Sequence, residues 1–159
     1  MRKLTGMAAV VVALLGVPVV AWAGPPTSTT ANGTLVSHDQ QLVGSAGGNQ
    51  TFDAVDHLVF TGGLIGSPVD TYTFTVHPNG SITGHGTETC SDCTIGGRTG
   101  SYTERFSFTA TANFATFDGQ FTIQDSGGGL SGLRAEGSFV GVGVAETEQL
   151  NYHFEPGTS

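Results

Sequence analysis

Asp70-Thr71-Tyr72-Thr73-Phe74-Thr75-Val76, followed at once by His77-Pro78-Asn79-Gly80, is the stretch that decides the fold. Tyr72, Phe74 and Val76 fall on one face and Thr71, Thr73 and Thr75 on the other. Strict alternation of aromatic or β-branched residues describes a half-buried strand, because successive Cβ atoms of an extended chain point to opposite sides. Pro78 then presets φ, Asn79 tolerates left-handed backbone and Gly80 adopts it freely. The chain turns back there, and residues 81–89 form the second arm of a hairpin.

Outward from this hairpin the same period returns. In residues 101–112, Tyr102, Phe106 and Phe108 share a face; in 117–124, Phe117, Phe121 and Ile123; in 148–154, Leu150, Tyr152 and Phe154. Residues 34–37, 57–61 and 133–140 add less clearly patterned strands. After residue 23 no segment carries the i, i+3, i+4, i+7 repeat of a helix, and the 25 glycines of the chain suit tight turns. The expectation is an all-β fold: a single antiparallel barrel of about eight strands, with a sandwich as second choice. The one-face aromatic stripes favour the barrel, whose lumen they would line.

The first residues, MRKLTGMAAVVVALLGVPVVAWA, combine a basic start (Arg2, Lys3), an apolar run and a small-x-small close at Ala21, Trp22 and Ala23. This is the pattern of a secretory signal peptide over residues 1–23, cleaved after Ala23. The apolar run is too short, and too interrupted by Pro18, to span a bilayer well. The chain is therefore expected to be secreted, to the medium or the cell envelope. Residues 24–32, rich in Pro, Thr and Ser, read as a flexible spacer, 33–156 as the barrel domain and 157–159 as a tail.

Charge limits the chemistry. The chain carries a formal net charge of −8, and loss of the leader would remove every lysine and leave only Arg98, Arg105 and Arg134 as cations. Nucleic acid is excluded as a natural partner and anionic membrane surfaces are disfavoured, since both need clustered Lys and Arg. Schiff-base and pyridoxal chemistry need a lysine, and no cofactor is expected.

Gly96-Gly97-Arg98-Thr99-Gly100-Ser101-Tyr102 and the glycine-rich Gly127-Gly128-Gly129-Leu130-Ser131-Gly132-Leu133-Arg134 step into a strand have a recognisable cadence. Over residues 58–154 the chain resembles a bacterial family of small barrels of unassigned function, similar to allene oxide cyclase and dirigent-type barrels and calycin-like in outline. The resemblance implies a closed antiparallel barrel with a central cavity. It implies no activity, and the Cys90, Cys93 pair departs from it.

Cys90 and Cys93 are close in an exported chain with two cysteines, so a disulfide is the first reading, ahead of a redox pair or half of a metal site with His77 or His85. No metal is expected, because the spacing of these histidines and cysteines matches no familiar zinc site. Gly127 to Gly132 fits G-x-G-x-x-G without the strand and helix that give the motif meaning. There is no G-x-S-x-G elbow, and His38, His57, His77, His85 and His153 sit singly, most of them on polar faces or in loops. Asn32, Asn49 and Asn79 open sequons that read as turns. Arg134 and Glu136 share a face and read as a surface ion pair.

Glu104 stands out, because it shares its face with Tyr102, Phe106 and Phe108. The plainer reading is a one-residue slip that returns it to solvent; the alternative is an inward carboxylate, costly unless paired or functional. Glu148 is likewise in phase with Leu150, nearer a strand end. The functional expectation is a noncatalytic barrel that takes a small apolar molecule among Tyr72, Phe74, Tyr102, Glu104, Phe106 and Tyr152, or serves as a stable extracellular module. The alternative is an isomerase or cyclase that shields a reactive intermediate and uses Glu104 as its acid or base. The sequence carries no reading of oligomeric state.

Overall fold

The computed structural model describes residues 25–155. The expected leader and tail lie outside the described residues. The chain forms β1 (Thr27–Ala46), β2 (Asn49–Gly62), β3 (Leu64–Ile65), β4 (Val69–Val76), β5 (Ile82–Ile95), β6 (Arg98–Ala110), β7 (Thr116–Gly128), β8 (Leu133–Val142) and β9 (Ala145–Phe154). Among the described residues there is no α-helix, and one 3₁₀ turn, Ala112–Phe114, joins β6 to β7.

All strands belong to one antiparallel sheet. Hydrogen bonding runs β5-β4-β2-β1-β9-β8-β7-β6 and returns from β6 to β5, so eight strands close into a ring, with β3 appended to the end of β5. The two separate sheets of a sandwich are not formed. Closure leaves one face of every strand pointing inward, and the alternation read from 70–76 is the inward phase: Tyr72 and Phe74 are buried and Thr71 is exposed.

Many inward positions are glycines, and each leaves room for a ring from the neighbouring strand. A Cβ on Gly84 would lie 2.4 Å from Phe108, one on Gly119 2.3 Å from Phe139, and one on Gly141 1.9 Å from Phe117. Small and large side chains thus alternate around the lumen, as closure of a narrow ring requires.

One end of the ring is sealed. The turn between β7 and β8 folds Leu130 inward, where it packs in the same core as Phe60, Leu64, Ile95, Leu133 and Leu150, all at most 2% exposed. Cys90 and Cys93 stand at disulfide distance across a register shift in β5 near this end. At the opposite end lie the 3₁₀ turn and the β8–β9 turn at Gly143 and Val144. There β1 runs on past Thr34, its last pairing with β9, and pairs with β2 alone as far as Ala46.

Three expectations are corrected. From Thr27 the proposed spacer is strand: Thr27 to Asn32 pair residue by residue with β9, from Tyr152 to Thr147. Backbone pairing needs no apolar side chain, and the inward positions Ala31 and Gly33 are small rather than absent from the pattern. Asn32-Gly33-Thr34 is for the same reason a strand and not a turn, and Asn49-Gln50-Thr51 likewise opens β2, paired with the end of β1. Arg134 does not pair with Glu136; its Nε and Nη2 donate to Glu155 at 3.1 and 3.2 Å, because Glu155 extends β9 beside the start of β8.

Candidate functional site

Pairing register, more than any single loop, builds the interior site. Asp56 on β2 stands opposite Asp70 on β4, Asp70 opposite Glu88 on β5, and Glu88 opposite Glu104 on β6. His38 on β1 is opposite Asp56 and extends the row to a fifth strand. From β9, Glu146 and Glu148 face the same cavity. Gly33 makes room for the first of these, since a Cβ there would lie 2.7 Å from Glu146 Cγ. Like charges directly opposite one another on neighbouring strands repel, so this row is costly to assemble in a charged state.

The groups line a cavity of about 340 Å³. Exposed Asn113, Gly143 and Val144 border it, so the cavity reaches solvent at the end away from Leu130. Aromatic rings line much of the rest. Tyr72 packs against Phe106 and Phe108 with ring centroids 6.0 and 5.7 Å apart, and Phe139 joins Phe106 to Phe117. Phe114 stands at the mouth, edge-on to Phe74 at 5.2 Å, with its backbone at φ 52. A bulky residue in that left-handed region is held there against its own preference by its packing.

Protonation follows from burial. Glu104 is 4% exposed and Glu148 3%. Burial first, then the negative charges of Glu88 and its neighbours, hold both carboxyls well above the usual carboxylate range. Burial also raises Asp70, with repulsion from Glu88, Glu146 and Asp56 and the closeness of the Glu88 carboxyl added. Glu88 itself is pushed up by burial to about 7, held back from going higher by hydrogen bonds from the Tyr102 hydroxyl and Asp70. Glu146 is raised to about 8 by burial, Glu88 and Asp56. At the mouth, His38 Nδ1 donates to Asp56 Oδ1 at 2.6 Å. Burial works against its charge, but the bonds to Asp56 and Gln40 outweigh it and raise the imidazole. Tyr72 donates to the other oxygen of Asp56 at 3.0 Å, and burial followed by the Asp56 charge keeps its phenol protonated.

No arginine of the described residues enters the lumen. Arg98 lies over the Phe154 ring at 3.9 Å, Arg105 is on the outer face, and Arg134 is held by Glu155. Glu148 Oε2 and Asp70 Oδ1 are buried without a hydrogen-bond partner. Among the described residues no group of His, Cys, Asp and Glu is arranged to hold a metal ion.

The slip that would return Glu104 to solvent does not occur, because the register shift between β6 and β7 comes at Thr103/Glu104 and preserves the inward phase of the β6 residues against β5. Glu148 is buried rather than wetted at a strand end. Of the expected ligand-contacting residues, Tyr72, Glu104 and Phe106 line the cavity. The others do not: Phe74 is covered by Phe52 and Phe114, Tyr102 stands behind the acidic row with its hydroxyl on Glu88, and Tyr152 packs against Phe154 near Gly96. Sequence reasoning missed His38, Asp56, Asp70, Glu88 and Glu146. Asp70 was within reach, since it begins the phase that Tyr72 and Phe74 continue.

The fold is shared with a solved protein of unknown function from the DUF3224 family of Shewanella oneidensis MR-1, at a TM-score of 0.66 and 15% identity, covering 83% of this chain and 99% of that one. That likeness is one of fold, to a bacterial β protein without an assigned activity. No family model and no curated protein matches the chain.

Proposed function

We propose that this chain is an exported β-barrel, of the calycin or allene oxide cyclase-like type, that binds one small molecule in its lumen without transforming it. The observation that carries the reading is the open cavity of about 340 Å³, lined in large part by aromatic rings. A barrel meant only as a stable module would fill its interior with its own side chains, whereas ten phenylalanines here leave a chamber within the usual range for small ligands. Phe106, Phe108, Phe117 and Phe139 give an apolar body somewhere to lie.

Titration with a neutral phenylnaphthylamine dye tests this. Fluorescence should rise and saturate at one equivalent, and Leu35→Trp, which narrows the mouth, should suppress the rise. Failure of the dye and of a panel of fatty acids, terpenoids and aromatics to enter would overturn the binding reading.

A second reading is favoured by one feature: Asp70 stands opposite Glu88, which accepts from the Tyr102 hydroxyl, and burial holds the neighbouring Glu104 carboxyl well above the usual carboxylate range. Such a pair could pass a proton to and from a bound substrate, as an isomerase or cyclase requires, with Glu104 as acid. If Glu88→Gln and Glu104→Gln leave every candidate conversion unchanged, that reading falls.

A further inference from the structure

Six carboxyl groups and no arginine of the described residues face the cavity, an imbalance that an apolar ligand would leave unanswered. Protons alone can neutralise the row, but they do not satisfy its geometry. Glu148 and Asp70 both line the chamber, and Glu148 Oε2 and Asp70 Oδ1 are buried with no partner. A buried acceptor left open in this way costs free energy that a donor from a ligand would recover. The rings beside the carboxyls, Phe106 next along the inward face from Glu104 and Phe139 opposite Glu148 on the neighbouring strand, supply what a cationic centre with a hydrocarbon body needs, since ring faces attract cations as well as apolar surface.

We propose that the ligand is a small organic ammonium ion, its charged nitrogen held by Glu148 and Glu104 and its hydrocarbon body laid against Phe106 and Phe139. An ammonium group offers donors in several directions, so two carboxyls on different strands, here β6 and β9, satisfy it without a third at the same point. An inorganic cation fits less well, because no three acidic or imidazole side chains are arranged around one point. An anionic ligand would add to the repulsion. His38, bonded to Asp56 at the mouth, is the one group of the lumen that can itself carry positive charge, and it is occupied.

Entry of the cation should drive protons off the carboxyls it meets. The titrating groups around the chamber are His38, Asp56, Asp70, Glu88, Glu104 and, from β9, Glu146 and Glu148, with the phenols of Tyr72 and Tyr102. With the carboxyls raised by burial and mutual repulsion, affinity for the cation should climb from pH 6 to pH 8 as they become easier to ionise.

This inference rests on the lumen being a binding site, so the experiment separates the two. Calorimetry at pH 8 would compare phenethylamine, phenethyl alcohol, hydrocinnamate and calcium chloride on the purified protein, beside the neutral dye. The amine should bind at least about tenfold more tightly than the alcohol, hydrocinnamate should not bind, and heats in buffers of different ionisation enthalpy should reveal proton release. Glu148→Gln and Glu104→Gln should each lower the preference for the amine over the alcohol, both measured on the same variant, at least about fivefold. Dye uptake with amine and alcohol bound equally would overturn the cation and leave the lumen site standing; refusal of both dye and amine would overturn the lumen site itself. Calcium that binds and displaces the amine would make this an inorganic cation site and overturn the proposal. If the glutamine variants fail to fold, the contrast between amine and alcohol on the unaltered protein decides.

Discussion

Glu104 concentrates the residue-scale problem. It is buried beside Glu88, with Glu148 near, and no cation of the described residues reaches it. Its folded pKa stands above the unfolded value, so its contribution to stability is fully present below the unfolded value and is lost as pH rises through the folded one. Replacement by an amide removes a charge the interior resists while keeping shape. Glu104→Gln should therefore stabilise the protein near neutral pH by about 1–3 kcal/mol, the scale for relieving a badly placed buried polar group. Urea unfolding at pH 7.5 measures it, and a midpoint that stays or falls would mean the carboxyl is solvated or paired. Gly33 poses the converse case: a Cβ there would meet Glu146 and also lie 2.8 Å from the Phe60 ring. Gly33→Ala should destabilise by roughly 1–3 kcal/mol, as overpacking does, which thermal melting would register.

At the scale of the element, β5 shows what the sequence could and could not disclose. The hairpin from β4 through Pro78, Asn79 and Gly80 was legible because turn chemistry and alternation agreed. The inward face of β5 was not, since its residues are Ile82, Gly84, Gly86, Glu88 and Cys90. Two of these have no side chain, and the acid reads as polar surface among its threonines; the partners that fill the gaps, Phe108 and Tyr72, lie on other strands. Phase could be inferred within each strand, whereas the acidic row depends on register between strands, which no single stretch encodes. The same strand carries the Cys90 and Cys93 pair, closing a loop of sequence separation 3. So short a loop restrains the unfolded chain by only ~2 kcal/mol. Cys90→Ser with Cys93→Ser should lower stability by about that amount and leave dye uptake intact, because the pair lies away from the cavity mouth. Rapid labelling of two thiols in native, unreduced protein would contradict the bond.

For the molecule as a whole, the raised groups act in one direction. Glu88 and Glu146 have ordinary values of 4.5 and folded values of about 7 and about 8, and Asp70, Glu104, Glu148 and His38 are raised as well. Among the described carboxyls only the exposed Glu155 shifts down, at its arginine. In the interval between unfolded and folded values the native state holds more protons, so stability must fall as pH rises from about 4.5 towards 8. A melting temperature highest near pH 5 and lower at pH 8 is expected, the reverse of ordinary acid denaturation; a flat or rising profile would show the carboxyls to be solvated. If export removes residues 1–23 as proposed, the released protein has lost Trp22, the only tryptophan in the sequence, and its emission should be that of tyrosine alone. The pairing of β1 with β9 carries a further consequence, for the order of events in folding. These strands stand at opposite ends of the described chain, and Thr27 meets Tyr152. Hairpins such as β4–β5 can form as soon as they are synthesised, but the ring stays an open, curling ribbon with two bare edges until β9 arrives. Its last seam joins partners more than a hundred residues apart, which places folding among slow topologies of about milliseconds to seconds. A nascent chain therefore has no interior, and no place for a ligand, until nearly its whole length has emerged.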